Sequence, residues 1–147
     1  MKKLILLLLF IPLVSFGQTL PVFSSESSVR AYYDNNKPEF IEGIWEYISF
    51  TDVNSYRLAI IKDEFYYKVY VTEKSGEWNT GDVKATFERV RTPDGENPRI
   101  ITKWTMGDKI SKNTSEGYVN KDFNTIVIDD NVIGAMVGVK LVRTYPK

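Results

Sequence analysis

Histidine and cysteine are both absent from the 147 residues, and their absence removes more chemistry than any residue present adds. Without an imidazole there is no Ser-His-Asp or Cys-His nucleophile and no His-ligated metal. Without a thiol there is no disulfide framework, even in a compartment that would permit one, and no cysteine to carry a lipid anchor. Carboxylates remain. Asp63-Glu64 and Asp129-Asp130 are adjacent acidic pairs, and solvated turns account for both. Asp129-x-Asn131-x-x-Gly134 opens like a calcium loop, but Ile133 stands at a ligand position and Lys140 replaces the closing Glu. It reads as a turn. Asn113-Thr114-Ser115 matches a glycosylation sequon and reads as a polar strand end. No catalytic residue, metal or cofactor is expected, and the chain reads as non-catalytic.

What remains is aromatic and cationic. Gly43, Trp45 and Arg143 are the residues whose types matter together. A guanidinium laid across an indole is a favourable pair, and an inward-facing Arg needs such a partner. The two residues lie 98 positions apart, so the elements between them must bring them together.

Those elements are read from periodicity. Lys2 and Lys3 precede an apolar run, Leu4 to Val14, that is too short to span a bilayer. Ser15-Phe16-Gly17 supplies small residues for cleavage, so 1–17 reads as a secretory signal peptide cut near Gly17-Gln18. Residues 18–37 form a polar lead and one short helix over about 27–35. There Val29, Tyr32 and Tyr33 share a face and a serine caps the start. From Pro38 the period is two. Strands are expected near 40–50, 55–62, 64–72, 82–90, 99–107, 113–120, 124–129 and 136–145, with turn-formers between them. In the third strand Phe65, Tyr67, Val69 and Val71 fall on the inward face. Tyr66, Lys68 and Tyr70 fall outward, as cross-strand packing on the wall or, alternatively, as a strip for a partner.

Residues 38–147 thus hold eight strands with no room for long crossovers. A meander of that kind closes to remove its edges. The expected fold is all-β: an eight-stranded antiparallel up-and-down barrel with one short N-terminal helix. Closure sets the start of the first strand beside the end of the last, which brings Trp45 to Arg143.

Gly43-x-Trp45 on the first strand, the helix before it and Arg143 on the last strand resemble the calycin barrels: lipocalins, avidins and fatty-acid-binding proteins. The resemblance implies that Gly43, Trp45 and Arg143 are the structural floor of the closed end. The two-helix lid of fatty-acid-binding proteins and the disulfides of many lipocalins are missing. Ile41 to Trp45, Tyr56 to Lys62, Val83 to Glu88 and Trp104-x-Met106-x-Asp108-Lys109 also look like barrel modules of secreted bacterial proteins, some of them fused to trypsin-like serine proteases. That likeness implies an accessory or binding role and supplies no catalytic residue.

If the floor lies at Trp45, strand direction places the mouth at the other end. Its expected lining is Tyr47, Ser49, Tyr56, Val71, Val83, Trp104, Met106 and Met136 (or Val137), a set without charge. Such a mouth suits a small, mostly apolar ligand. The rival reading is a solid-cored module that binds an extracytoplasmic protein, since eight strands enclose space for side chains or one small ligand. Without Lys2 and Lys3 the 19 basic residues become 17 against 19 acidic ones, a net charge of −2. That balance gives no basic face for nucleic acid, and no membrane insertion is expected once the signal is removed. The expected location is secreted or periplasmic.

Overall fold

A computed structural model describes residues 25–49, 55–129 and 138–147, with the backbone alone at Ser49 and Asp129. Residues 1–17, expected to be a signal peptide, together with Met136, Val137 and most of the calcium-like turn, lie outside the described residues.

The chain enters through α1, Glu26–Asn35. Ser25 caps it by a reciprocal box: its hydroxyl accepts from the Ser28 amide, and the Ser28 hydroxyl accepts from the Ser25 amide, each at 3.3 Å. Ten residues make too short a helix to stand alone in water. Tertiary packing holds it. Val29 and Tyr33 are buried against Ile44, Ala59 and Ile61, with Tyr32 and Tyr145 beside them. Burying each large apolar side chain contributes about 1.5–3 kcal/mol.

Eight strands follow: β1 Gly43–Ser49, β2 Tyr56–Asp63, β3 Tyr66–Val71, β4 Val83–Val90, β5 Arg99–Thr105, β6 Lys112–Val119, β7 Thr125–Asp129 and β8 Val139–Tyr145. They form a closed barrel in sequence order. Closure is made by antiparallel pairing of β1 with β8, in which Trp45 lies opposite Arg143. Alternate residues point inward into one core that includes Trp45, Leu58, Ile60, Val69, Phe87, Ile100, Ile126 and Leu141. In β2 the run Leu58-Ala59-Ile60-Ile61 is buried without alternation. The cause is that Leu58 and Ile60 face the barrel interior while Ala59 and Ile61 face the helix.

The structure corrects three readings of register. The third strand begins at Tyr66, and Phe65 sits in the preceding two-residue turn, 90% exposed rather than inward. In β4, Ala85 pairs with Val69 but Val83 pairs with Tyr70, so Lys84 is the extra residue of a β-bulge. Val83 is thereby 37% exposed and is not part of the interior lining. The fifth strand ends at Thr105. Met106 turns out of it, 44% exposed, with its amide bonded to the Ser111 carbonyl at 2.9 Å.

Candidate functional site

The two ends of the barrel differ in construction. At the closed end, Gly43 has φ of 148°, and a side chain there would meet the Tyr145 carbonyl oxygen at 2.4 Å. Only glycine allows the last strand to pass that close. Two residues on, the Trp45 indole is fully buried and donates from Nε1 to the Ile41 carbonyl at 3.1 Å. The Arg143 guanidinium lies 4.5 Å from its ring centroid. The same guanidinium ties three carbonyls: Nη1 to Glu42 at 2.8 Å, Nε to Phe123 at 2.9 Å, and Nη2 to Phe40. Burial lowers the Arg143 pKa from its ordinary value, and the fork of donors matches the carbonyls that surround it. Phe40 covers this layer, packed edge-on against Phe123 with centroids 5.7 Å apart and under the Arg89 guanidinium at 4.9 Å. The expected floor of Gly43, Trp45 and Arg143 is one contiguous cluster.

Sequence reasoning missed the residue beside it. The Glu42 carboxylate is buried and accepts from the Glu39 and Lys62 amides, each at 2.8 Å. It staples the entry segment to β2. Glu39 in turn pairs with Lys62 and accepts from the Tyr67 hydroxyl at 2.7 Å. The Lys62 and Tyr67 hydrogen bonds hold the Glu39 carboxyl below its usual range. Burial, then the bond to Glu39, push the Tyr67 phenol up.

The other end is built from rings. Tyr47 on β1 meets Tyr56 on β2 edge to face at 5.4 Å and Trp104 on β5 at 6.2 Å. Trp104 meets Phe87 at 5.9 Å. Tyr56 and Val71 are buried, whereas Tyr47 and Trp104 are half-buried. Tyr47, Tyr56 and Trp104, three of the expected mouth residues, therefore form one connected layer, while Val71 is buried opposite Leu58. Val83 and Met106 do not join them, for the reasons of register above. Met136 and the side chain of Ser49 lie outside the described residues.

Two groups that the sequence did not suggest sit at the same end. Trp78 reaches in from the β3–β4 connection and is buried to 1% exposure. Its ring lies 3.9 Å from the Lys84 ammonium, which also stands 5.3 Å from the Tyr56 ring and donates to the Thr105 carbonyl at 3.3 Å. The expectation of an uncharged mouth is corrected: the bulge turns Lys84 toward the rings. Lys109, paired with Asp82 at 2.9 Å, stands 5.5 Å from the Trp78 ring. The Trp78 Nε1 and the Thr72 hydroxyl are buried without a hydrogen-bond partner among the described residues. An aromatic within Lys74-Ser75-Gly76-Glu77-Trp78-Asn79 was the available signal, since a large ring in a turn-rich stretch needs somewhere to pack.

Among the described residues no cluster of acidic side chains has the makings of a metal site, and no helix is long and apolar enough to cross a membrane. The Tyr66-Lys68-Tyr70 stripe divides. Lys68 pairs with Asp63 at 2.6 Å, Tyr70 packs toward the helix-covered cluster, and Tyr66 is exposed.

No family model, curated protein or solved structure matches the chain. The geometry of the barrel therefore carries the functional reading alone.

Proposed function

We propose that this protein is an exported, non-catalytic barrel of the calycin kind whose interior is solid and whose work is done on its outer surface, by binding another extracytoplasmic protein. One observation carries the reading. Strands β1 and β5 are half the circumference apart in an eight-stranded barrel, yet Tyr47 of one touches Trp104 of the other. Rings from opposite walls meet across the barrel axis at the mouth end, in the space through which a ligand would have to enter.

A second reading keeps the small apolar ligand at the mouth. It is favoured by the half-burial of Tyr47 and Trp104, which leaves ring surface accessible above the layer. A ligand seated there would also meet the Lys84 ammonium, so an acidic head group would suit it better than a neutral one.

Titration with apolar fluorescent probes and fatty acids, followed through tryptophan emission, separates the two. The solid-cored reading predicts no saturable change. Saturable binding that Tyr56→Ala abolishes would give the protein to the second reading.

A further inference from the structure

The β3–β4 connection, residues 72–82, is bonded to itself more than to the barrel. Ser75 and Trp78 exchange both backbone hydrogen bonds, at 3.1 and 3.0 Å. The Asp82 amide donates to the Asn79 carbonyl at 3.1 Å, and the Asn79 amide donates to the Asp82 carboxylate at 2.9 Å. The two ends of the connection meet at a neck. There the Val71 amide donates to the Asp82 carbonyl at 2.9 Å, and the Gly81 amide donates to the Val71 carbonyl at 2.8 Å. Gly81 holds φ of 91° at that neck, a conformation open to glycine. Outside the connection, residues 73–80 make one hydrogen bond among the described residues, from Ser75 Oγ to the Ser55 carbonyl at 3.1 Å. A lobe so built can swing as a unit about its neck.

Trp78 is what holds the lobe to the barrel. Its ring is buried in the core that includes Tyr56 and Val71. Lys109, in the turn after β5, reaches that ring and pairs with Asp82 at 2.9 Å, which clasps the lobe from outside. The seat is nonetheless incomplete. The indole Nε1 has no hydrogen-bond partner among the described residues. The ring therefore leaves the core without breaking a hydrogen bond, and its N–H gains water when it does.

We infer that residues 73–80 are a hinged lid on the barrel mouth, shut by the Trp78 ring and clasped by Lys109. The inference rests on the solid-cored reading for its shut state. It adds a less populated open state, in which Trp78 swings out and the space beside Tyr56 admits a small apolar molecule.

Hydrogen exchange of the indole N–H groups, followed by NMR on the exported protein, tests this. Trp45 supplies the reference, because its N–H is fully buried, bonded to the Ile41 carbonyl and released by global unfolding. The Trp78 N–H is expected to exchange about a hundredfold faster or more, at a rate that low denaturant leaves unchanged while that of Trp45 rises. Arg143→Ala, at the far end of the barrel, should speed Trp45 alone. Lys109→Gln should speed Trp78 about tenfold, through loss of an ion pair and a cation–π contact. Equal rates for the two indoles, with equal response to denaturant, overturn the lid. So does fast Trp78 exchange that Lys109→Gln leaves unchanged, since water would then reach the indole without the clasp opening. Xenon inside the shut barrel would defeat the solid-cored reading whatever the exchange rates, and failure of the exchange test would leave the interior solid. The two failures are therefore distinguishable.

Discussion

At the scale of single residues, the closed end depends on Gly43, Trp45 and Arg143, each for a different physical reason. Gly43→Ala places a Cβ against the Tyr145 carbonyl at a backbone angle that side chains rarely adopt. It should destabilise by about 1–3 kcal/mol in chemical denaturation. Trp45→Ala empties the largest buried volume at the floor and should cost about 3–5 kcal/mol. Arg143→Ala leaves carbonyls of Phe40, Glu42 and Phe123 without their donor, at about 1–3 kcal/mol. Because the guanidinium also lies on the indole, the double variant should fall short of the sum. Additive losses would mean that the two side chains do not interact. Tyr33 provides a pH signature. Its hydroxyl donates to the Ile60 carbonyl at 2.5 Å and to the Gly43 carbonyl at 3.3 Å. Burial, with the Glu42 charge nearby, raises its pKa well above the ordinary 10.0. A raised folded pKa means that stability is complete below about pH 10 and falls as pH rises beyond it, when the unfolded chain loses protons that the folded chain keeps. Melting temperature followed from about pH 8 to about pH 11 should decline at the alkaline end, and less steeply in Tyr33→Phe, although that variant starts from lower stability.

At the scale of elements, the bulge in β4 and the β3–β4 connection decide the open end. The connection buries Trp78 under Lys84 and leaves the Thr72 hydroxyl and the Trp78 Nε1 without a partner among the described residues. Thr72→Val swaps a buried orphan hydroxyl for a methyl of similar shape. It should therefore raise stability by about 1 kcal/mol, read from the denaturation midpoint. A loss would mean that the hydroxyl has a partner. These same elements mark the limit of what the sequence discloses. Period two was legible wherever strands were regular, and it brought Trp45 to Arg143 because closure of eight strands leaves no alternative neighbour. It could not disclose the bulge: Val83, Ala85 and Phe87 alternate perfectly, and the extra residue shows only once Val69 and Tyr70 choose partners. Phe65 fits the same alternation, which points it inward, but the hairpin uses two residues for its turn, Glu64 and Phe65. Glu42 was hidden for another reason. Its role is to accept two backbone amides from segments 3 and 20 residues away, and no spacing announces that.

At the scale of the whole molecule, the barrel is a closed sheet, covered on one side by a helix and crossed at its mouth end by rings from opposite walls. Its apolar N-terminal segment leads to the expectation of export. N-terminal sequencing of protein recovered from the cell envelope or medium should begin at or near Gln18, and intact Met1 found solely in cytosol would contradict that. The central claim is that the interior is solid, so that function belongs to the outside. The most direct test is a crystal structure of the protein under xenon pressure, because xenon enters apolar cavities that water leaves dry. The account predicts no xenon within the barrel and Tyr47 in edge-to-face contact with Trp104 near 6.2 Å. Xenon, or co-purified ligand density, lying between those two rings would contradict it.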